Sequence, residues 1–451
     1  MGNSLSRLEN NSTSYHHPQE SHLYSVHYAM EYDASGQPVL RVNNIGGTGY
    51  NTLGNISASS DAFGRLRISN PVTLFDSAHR YKDNGKYSTF TAGSGTTSYD
   101  AYQSSVLMTV GTALGDKVYR ESRRVFAYQP GKSLLIFNTF TFAAAQTNLR
   151  QRVGYFTIDN GIYFEQSNTT KYLVIRKNTS GSVDDTSERV AQSGWNVDRL
   201  DGTGISGVTL DTTKAQIFWT DIEWLGVGSV RCGFVINGQF IVCHVFHHAN
   251  IIGTVYMTTA TLPIRYEIEN TGATSASSTM LQICSSVLSE GGYEARTKQW
   301  RATRTTSIAS TSVAAGWAPI VSIRLAAGRE NAVVLPGAIH IAGDGNNSLY
   351  EFAMIRNATI TGGSWVAHTD SGGNIEYNVT ATSMSNGTIE DSGFFASSNQ
   401  SNNLRTEDIT YNWEQQLGRD QTPTSDTLTL AARHLVNGGN VYGSLNWHDL
   451  V

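Results

Sequence analysis

The amino-acid sequence predicts an all-β protein with two jelly-roll-like β-sandwich domains that follow an extended N-terminal arm. Three observations predict this fold class. The composition is rich in Gly, Ser, Thr and Asn and contains 21 Tyr and 16 Phe, which favours strands and turns over long helices. Apolar residues recur with the period of two that strands show. Gly and Asn turn signals separate these runs.

The N-terminal segment, residues 1–60, is polar and interrupted by Gly and Asn. It cannot bury enough apolar surface to order itself, so we expect an arm that becomes fixed only against a partner. A plain disordered tail is the alternative. The opening MGNSLS also fits the N-myristoylation pattern, which would place a lipid on Gly2 in a host that has the transferase.

The length of 451 residues accommodates two or three domains of ordinary size. We place the first sandwich at residues 61–295, where period-two patterns recur. A polar stretch at 296–312 is expected to be a linker. Strand-like runs resume after it, and they predict a second sandwich over 313–451.

Strand faces can be assigned in the first sandwich. In the run LLIFNTFTF, Leu134, Ile136 and Phe140 share one face, and Leu135 and Phe137 share the other. Both faces are apolar, as expected for a strand that is covered on both sides. The segment LPIRYEIEN instead has an apolar face with Ile264, Tyr266 and Ile268 and a charged face with Arg265, Glu267 and Glu269.

A hairpin with Asn237 and Gly238 at its turn is the clearest local signal, because both residues tolerate the positive φ of a type I′ turn. Its register places Cys232 opposite Cys243. With Cys284 the chain has three cysteines, too few for a disulfide scaffold in a chain of this size. We expect Cys232 and Cys243 to be free thiols.

Charge and hydropathy exclude several classes of protein. Charged residues make up 15% of the chain and the net charge is −5, so no strong field attracts nucleic acid or an anionic membrane. The first thirty residues contain no apolar run of signal-peptide length, and no apolar run in the sequence reaches the length of a membrane-spanning helix. We expect a protein that is soluble and made in the cytoplasm.

Two short motifs resemble functional signatures. GTGISG, residues 202–207, matches the dinucleotide fingerprint, but VTLDTTK follows it instead of a helix whose N-terminus could hold phosphate. Asp76, Ser77 and His79 suggest a hydrolase, but neighbouring residues of a strand point apart and a triad is assembled by the fold. Neither motif predicts an active site.

Two further clusters could support chemistry. Cys243, His244, His247 and His248 contain metal-ligand types, but on an extended strand they alternate between two faces and do not converge.

Asp221 and Glu223 point the same way, as the nucleophile and general acid of sandwich-type glycosidases do. Acidic residues on an outward strand face are usually solvated, however. We therefore expect no catalytic residue, no metal or cofactor site, and no enzyme activity; a polysaccharide-degrading enzyme is the weakest of the alternatives that stay open.

The best basic patch is Arg120, Arg123 and Arg124, with Arg123 on the face opposite the other two. Arg65 and Arg67 alternate with apolar residues where the arm meets the first sandwich. We expect all five arginines to pair with carboxylates of neighbouring subunits, because guanidinium groups form strong bidentate contacts.

Long segments between residues 61 and 294 resemble a family of virion structural proteins of aquatic double-stranded DNA viruses, both tailed phages and giant algal viruses. They include FGRLRISNPVTLFDSAHRY, RVFAYQPGKSLL, EWLGVGSVRCGFVINGQF and LPIRYEIENTG. The hairpin region also resembles concanavalin- or laminin-G-like jelly rolls. The resemblance to virion structural proteins implies a particle-associated, non-enzymatic role and provides no catalytic residues.

The leading hypothesis is a minor capsid or decoration protein that caps the outer shell of the virion and assembles in the host cytoplasm. Its expected partners are the major capsid protein, other virion proteins and two further copies in a homo-trimer, but no nucleic acid. The alternative is a tail, baseplate or fibre component that binds host-surface glycan, with exposed Tyr and Trp stacked on sugar rings.

Overall fold

The computed structural model describes residues 28–32, 38–42, 61, 70–294, 297–398, 401–402, 405–407, 413–420 and 424–450. The chain forms two compact units, Met1–Arg67 and Ile68–Val451. In the first unit, strands β1 (Tyr28–Tyr32) and β2 (Pro38–Val42) form an antiparallel pair. The rest of the predicted arm lies outside the described residues, as do Gly2, Arg65 and Arg67.

The second unit contains two β-sandwiches. The strands of the first are β3 (Val72–Ala78), β4 (Tyr87–Ala92), β5 (Thr96–Asp100), β6 (Ser105–Val110), β7 (Lys117–Ser122), β8 (Ser133–Thr141), β9 (Leu149–Phe156), β10 (Gly161–Ser167), β11 (Thr170–Arg176), β12 (Arg189–Ala191), β13 (Gln216–Ile222), β14 (Val230–Ile236), β15 (Gln239–Phe246), β16 (Ile264–Asn270) and β17 (Ser278–Glu290). A seven-stranded sheet has the order β12-β11-β10-β9-β16-β7-β4, and an eight-stranded sheet has the order β15-β14-β13-β8-β17-β6-β5 with β3 beside β17.

The strands of the second sandwich are β18 (Thr297–Ala309), β19 (Thr311–Ser312), β20 (Ala318–Leu325), β21 (Val333–Gly343), β22 (Ser348–Arg356), β23 (Thr359–Thr361), β24 (Val366–Ala367), β25 (Ile375–Asn378), β26 (Ser383–Ser385), β27 (Thr388–Ser398), β28 (Ser401–Asn402), β29 (Arg405–Glu407), β30 (Thr427–Val436) and β31 (Asn440–Leu450). One sheet has the order β18-β31-β21-β29 and the other β24-β25-β20-β30-β22-β27-β28, with β19 beside β30. Strands β23 and β26 form a separate pair.

The all-β prediction is confirmed. The only helical segments among the described residues are short 3-10 turns, at Gln192–Gly194, Val313–Ala315, Thr369–Ser371 and Trp413–Gln415. The part of the chain that the structure describes has no helix able to span a membrane. Chain order departs from spatial order in both sheets of the first sandwich, since β16 and β17 insert between earlier strands, as in jelly rolls.

The core of the first sandwich confirms the strand faces inferred from the sequence. Leu134, Ile136 and Phe140 are fully buried between the two sheets. Leu135 and Phe137 lie on the outer face of the eight-stranded sheet, where they pack in a separate apolar cluster around Trp219. Strand β8 is therefore covered on both faces, as its two apolar faces predict.

Within the stretch 296–312, expected to be a linker, Thr297–Ala309 and Thr311–Ser312 are strands. Strand β18 pairs with β31 along the edge of the four-stranded sheet of the second sandwich. An edge strand leaves alternate side chains in water, so its sequence is polar even though Ala302 is buried in the core and Trp300 packs against it. The division of the second unit into two independent domains remains a prediction.

The hairpin of β14 and β15 has the expected turn, with φ of 52° at Asn237 and 74° at Gly238. The prediction that Cys232 lies opposite Cys243 was wrong. A β-bulge shifts the register between Cys232 and Gly233, so that Cys232 lies opposite His244 and Cys243 is the additional residue. Both thiols are fully buried in the core, and all three cysteines are free.

Ion pairs and apolar contacts join the two sandwiches. Arg123 of the first donates to Asp426 of the second at 2.5 Å, and Arg419 of the second lies 2.7 Å from Glu121 of the first. Next to them, Val125, Ala127 and Val333 form a small buried cluster across the same junction.

Candidate functional site

The outer face of the seven-stranded sheet carries a network of interacting charged side chains. In each strand, alternate residues point into the core, and those between them point outward. The register aligns the outward residues in rows across the strands. One row is Phe90, Tyr119, Glu267, Arg152, Glu165 and Tyr172, and the row beside it contains Lys117, Glu269 and Arg150.

Glu267 is the centre of this network. One carboxylate oxygen lies 2.7 Å from Lys117 Nζ and 2.5 Å from Arg152 Nη2, and the other accepts a 2.9 Å bond from Arg265 Nε. Burial alone would raise the pKa of Glu267, but Arg152, Arg265 and Lys117 outweigh burial and hold that pKa well below its ordinary value. The carboxylate is therefore ionised at neutral pH.

Glu269 lies beside Glu267 on the same face and shares two of its cations. Its oxygens lie 2.9 Å from Arg152 Nη2 and 3.0 Å from Lys117 Nζ, and Arg150 donates to it as well. Burial and the neighbouring Glu267 would raise the pKa of Glu269, but the cations lower it below its ordinary value. Both carboxylates thus carry charge that the surrounding cations compensate.

Aromatic rings flank the charged network. Phe90 and Tyr119 stack with ring centroids 4.8 Å apart at one end, and the Arg265 guanidinium lies 3.7 Å from the Tyr119 centroid. At the other end Arg189 lies 3.5 Å from the Tyr172 centroid. Phe90 is exposed, and the two tyrosines are half-buried. These rings offer flat, partly apolar surfaces next to charged hydrogen-bond donors.

A cleft of about 720 Å³ opens at the junction of the two sandwiches. Its first-sandwich wall includes Tyr128, Gln129, Lys132 and Tyr293. Gln129 exchanges two hydrogen bonds with the backbone of Glu294, and Lys132 donates to Gly291 O at 2.6 Å. The second-sandwich wall is formed by Arg329, Asn331, Asn374 and Leu450, among others. Histidine is absent from this lining, which is described in full.

The three arginines of the predicted basic patch have partners within the chain. Arg120 is fully buried and donates to both Asp83 oxygens at 2.6 and 2.7 Å. Arg124 lies 3.0 Å from Glu414 of the second sandwich, and Arg123 bonds Asp426 as described above. These pairs join parts of one molecule, and the expected docking to another subunit remains a prediction.

Asp76, Ser77 and His79 do not form a triad. Ser77 Oγ accepts a 2.6 Å bond from Asn84 Nδ2, and His79 Nδ1 lies 3.4 Å from the Asn84 backbone N–H. Asp76 is exposed. Burial, with a smaller effect of nearby Arg120, lowers the pKa of His79 to about 4, so the imidazole is neutral at pH 7.

The cysteine and histidine cluster is dispersed among separate partners. His244 Nδ1 accepts from the backbone of Asn196, and His248 lies 2.6 Å from Gly228 O. Cys243 points into the core. Among the described residues, no three His, Cys, Asp or Glu side chains lie close enough together to hold a metal ion.

Asp221 and Glu223 differ from the expected solvated pair. Asp221 is fully buried and forms an ion pair with Arg231, and its Oδ1 lies 3.0 Å from Ser133 Oγ. The outer face of the eight-stranded sheet is covered by its own large apolar side chains, so a strand position that alternates outward is not exposed there.

The GTGISG segment, residues 202–207, forms a turn. Asp201 and Thr209 pair on either side of it as an isolated bridge. The segment is followed by extended chain rather than a helix, so it lacks the helix N-terminus that holds phosphate in dinucleotide-binding folds.

The charged network was missed at the sequence level, although part of its signal was visible. Arg265, Glu267 and Glu269 alternate along β16, and Arg150 and Arg152 alternate along β9. Each pattern alone resembles a solvated strand face. What makes the network is the pairing of β16 between β9 and β7, and no local pattern encodes that neighbour relation.

No family model and no curated protein matches the chain. Solved structures with similar folds include the carbohydrate recognition domain of Emp47p, at 10% identity and a TM-score of 0.30, over 48% of this chain and 94% of that one. The CBM2 module of Lactobacillus casei BL23 phage J-1 evolved Dit matches at 6% identity and a TM-score of 0.32, over 50% and 98% of the respective chains.

A Bacteroides ovatus mixed linkage glucan GH16 protein is similar at 7% identity and a TM-score of 0.32, over 48% of this chain and 99% of that one. Such low TM-scores and identities do not bear on function. The jelly-roll part of the sequence resemblance agrees with the sheet topology described above, and the virion part remains a prediction.

Proposed function

We propose that this chain is a non-enzymatic component of a virus particle that binds host-surface glycan, as part of a tail, baseplate or fibre. The observation that carries the glycan-binding role is the outer face of the seven-stranded sheet. There, a fully ion-paired row of side chains runs between exposed Phe90 with Tyr119 and half-buried Tyr172. Aromatic rings beside fixed polar groups suit the alternating apolar and polar surfaces of a sugar. The particle assignment follows the sequence resemblance.

The electrostatics of the face favour binding over cleavage. Glycoside hydrolysis needs a carboxylic acid that stays protonated until it donates to the leaving oxygen. Glu267 and Glu269 are held ionised by Lys117, Arg150 and Arg152, among others. Neither carboxyl group of this pair can be that acid at neutral pH.

Replacing both Phe90 and Tyr119 by Ala tests the glycan-binding role. On an array of neutral and acidic glycans, we expect the wild-type chain to bind and the variant to bind about tenfold more weakly, a loss of about 1.4 kcal/mol. Tyr102→Ala is the matched control, because Tyr102 is a fully exposed tyrosine in a turn away from this face. An array without any signal for the wild-type chain would contradict the proposal.

The particle assignment has its own test. Mass spectrometry of purified virions should detect the chain in stoichiometric amounts together with tail or fibre proteins. Its absence from washed particles that retain their tails would remove this part of the proposal while leaving glycan binding intact.

A second candidate function is the cap of the outer capsid shell, in contact with the major capsid protein. The observation that favours it is a strip of exposed apolar side chains on the second sandwich. Leu349 lies opposite Val436, and Phe394 lies one strand away on the same sheet. A trimer seen by light scattering and lost in Phe394→Asp would support subunit contact through this strip, and a monomer at micromolar concentration would oppose it.

A further inference from the structure

We infer that the ligand of the seven-stranded sheet is an acidic oligosaccharide, whose carboxylate or sulfate groups contact Lys117, Arg150 and Arg189. This inference rests on the proposed glycan-binding function and specifies its ligand class. It follows from which members of the charged network are accessible, from their remaining hydrogen-bonding capacity, and from their spacing.

On this face, several basic side chains are more exposed to solvent than the acidic side chains that pair with them. The side chains of Lys117, Arg150 and Arg189 are 26%, 31% and 30% exposed. The carboxylates that pair with them are covered: the side chains of Glu267 and Glu165 are 1% and 2% exposed, and only Glu269 retains slight exposure. A ligand on this face therefore meets cations first.

Hydrogen-bonding capacity points the same way. Both oxygens of Glu267 already accept bonds from Lys117, Arg152 and Arg265. An arginine has five N–H donors and a lysine three, and neither has an acceptor. Arg150 uses its Nε and Nη2 groups on Glu269 and retains further N–H groups. The charged groups of the face thus offer unused donors and few unused acceptors.

The excess of hydrogen-bond donors over acceptors favours acidic sugars over neutral ones. The hydroxyl groups of a neutral saccharide both donate and accept, and on this face most donated bonds would find no acceptor, which costs binding free energy when water is displaced. A carboxylate or sulfate group only accepts, and its bonds to guanidinium and ammonium groups are charge-assisted. An acidic sugar therefore matches the face better than a neutral one.

The spacing of the cations requires an oligomer. Lys117 and Arg150 lie on β7 and β9, which are separated by one strand, and Arg189 lies on β12, three strands beyond β9. With strands about 4.8 Å apart, the intervals across the strands are about 10 and 14 Å. Arg189 is in register with Gly154, so it is also displaced from Arg150 by four residues along the strand direction. A monosaccharide cannot span them, whereas an extended acidic chain laid across the strands can. The exposed Phe90 ring lies one strand beyond Lys117 and extends the same surface.

Isothermal titration of the full-length chain with oligogalacturonate, with a neutral galacto-oligosaccharide of equal length and with single-stranded DNA of equal charge tests the inference. We expect oligogalacturonate to bind at least about tenfold more tightly than the neutral oligomer, and to weaken as salt rises from 50 to 200 mM because accessible ion contacts are screened. The salt series uses the wild-type chain and needs no variant.

Variants locate the contacts. Arg150→Gln and Arg189→Gln should each weaken oligogalacturonate binding about fivefold and weaken binding of the neutral oligomer by a smaller factor. Arg324→Gln is the matched control: Arg324 is 37% exposed, pairs with Glu376 and stacks 4.2 Å from the Trp365 ring, but lies in the second sandwich. Unfolding curves of the three variants verify that each is folded.

The outcomes are distinguishable. Equal binding of neutral and acidic oligomers, or no effect of Arg150→Gln and Arg189→Gln beyond that of Arg324→Gln, overturns the acidic-ligand inference while glycan binding stands. DNA that binds as tightly as oligogalacturonate also overturns it, in favour of a general polyanion site. Failure of every saccharide, here and on the array, removes the proposed function itself.

Discussion

At the scale of single residues, His79 illustrates how burial determines protonation. The imidazole is almost fully buried beside Arg120, and these two effects lower its pKa from 6.5 to about 4. Asp83, 3.6 Å from Nδ1, opposes them only in part. Between pH 6.5 and 4 the unfolded chain binds a proton at this position and the folded chain does not, so folding loses stability as the pH falls.

We predict that His79→Gln weakens the pH dependence of stability. From pH 7 to pH 5, the free energy of unfolding of the wild-type chain should fall by about 2 kcal/mol more than that of the variant. Urea unfolding at the two pH values measures the difference. Burial also lowers the pKa of His244 to about 4. His244 is present in both proteins, so its contribution to the pH dependence cancels in the comparison. Equal pH slopes would show that the pKa of His79 is the same in the folded and unfolded chain, contrary to this prediction.

The sequence identified some residue environments and failed for others. Leu134 and Ile136 follow the alternation because both neighbours of their strand are also strands of the core. Asp221 was expected in water, and it is buried because Trp219 and Phe240 cover the outer face of its sheet. Apolar residues from separate strands produce that cover, and their assembly is a tertiary property.

At the scale of elements, the β14 and β15 hairpin combines a predictable turn with an unpredictable bulge. The Asn237 and Gly238 pair selects a turn with positive φ at both positions, and the structure has it. The additional residue at Cys243 leaves no local signal, because a small, weakly polar thiol fits either a regular or a bulged strand. The bulge directs both Cys232 and Cys243 into the core.

We predict that Gly238→Ala lowers the free energy of unfolding by about 1 kcal/mol, because a side chain at φ of 74° is strained. The position has open space, so no steric contact contributes. Gly253→Ala is the matched control: it also has open space, but its φ is not positive, and it should leave stability unchanged or slightly higher. Thermal unfolding compares the two, and equal shifts would argue against a backbone origin.

At the scale of the whole molecule, buried ion pairs connect the sandwiches. Asp426 lies at the centre of one such contact, where it accepts from Arg123 of the first sandwich at 2.5 Å and from Asn357 of the second at 3.0 Å. Burial would raise the pKa of Asp426, but Arg123 and Arg356 hold it below its ordinary value. The carboxylate is therefore charged at neutral pH and holds cations from both sides.

We predict that Asp426→Asn lowers the free energy of unfolding by about 3 kcal/mol, since it removes the buried counter-charge of Arg123 and leaves Arg356 with only the more exposed Glu390. Limited proteolysis should then cleave more rapidly near the junction. Glu376→Gln removes a more exposed pair within the second sandwich and should cost about 0.5 kcal/mol. Equal losses of unfolding free energy in the two variants would show that the Asp426 carboxylate does not hold the sandwiches together.

The two-sandwich architecture was predictable from the sequence, but the segment that connects the sandwiches and the contacts between distant strands were not. Period-two patterns and turn signals indicate two sandwiches, because each strand carries its own alternation. The polar composition of residues 296–312 indicated a linker, because a loop shares that composition with an edge strand such as Thr297–Ala309. The charged face of the seven-stranded sheet depends on contacts such as that of Arg152 with Glu267, which are 115 residues apart in sequence.

The unequal burial of the cysteines has a practical consequence. Cys232 and Cys243 are fully buried in the core, whereas Cys284 is only half-buried, although burial raises the pKa of all three thiols. A maleimide fluorophore should couple first at Cys284 in native molecules, and the other two sulfurs should become available only as the first sandwich opens. The unmodified sequence therefore allows one dye to be attached to the native protein, and the rate at which the other two thiols are labelled reports the rate of unfolding.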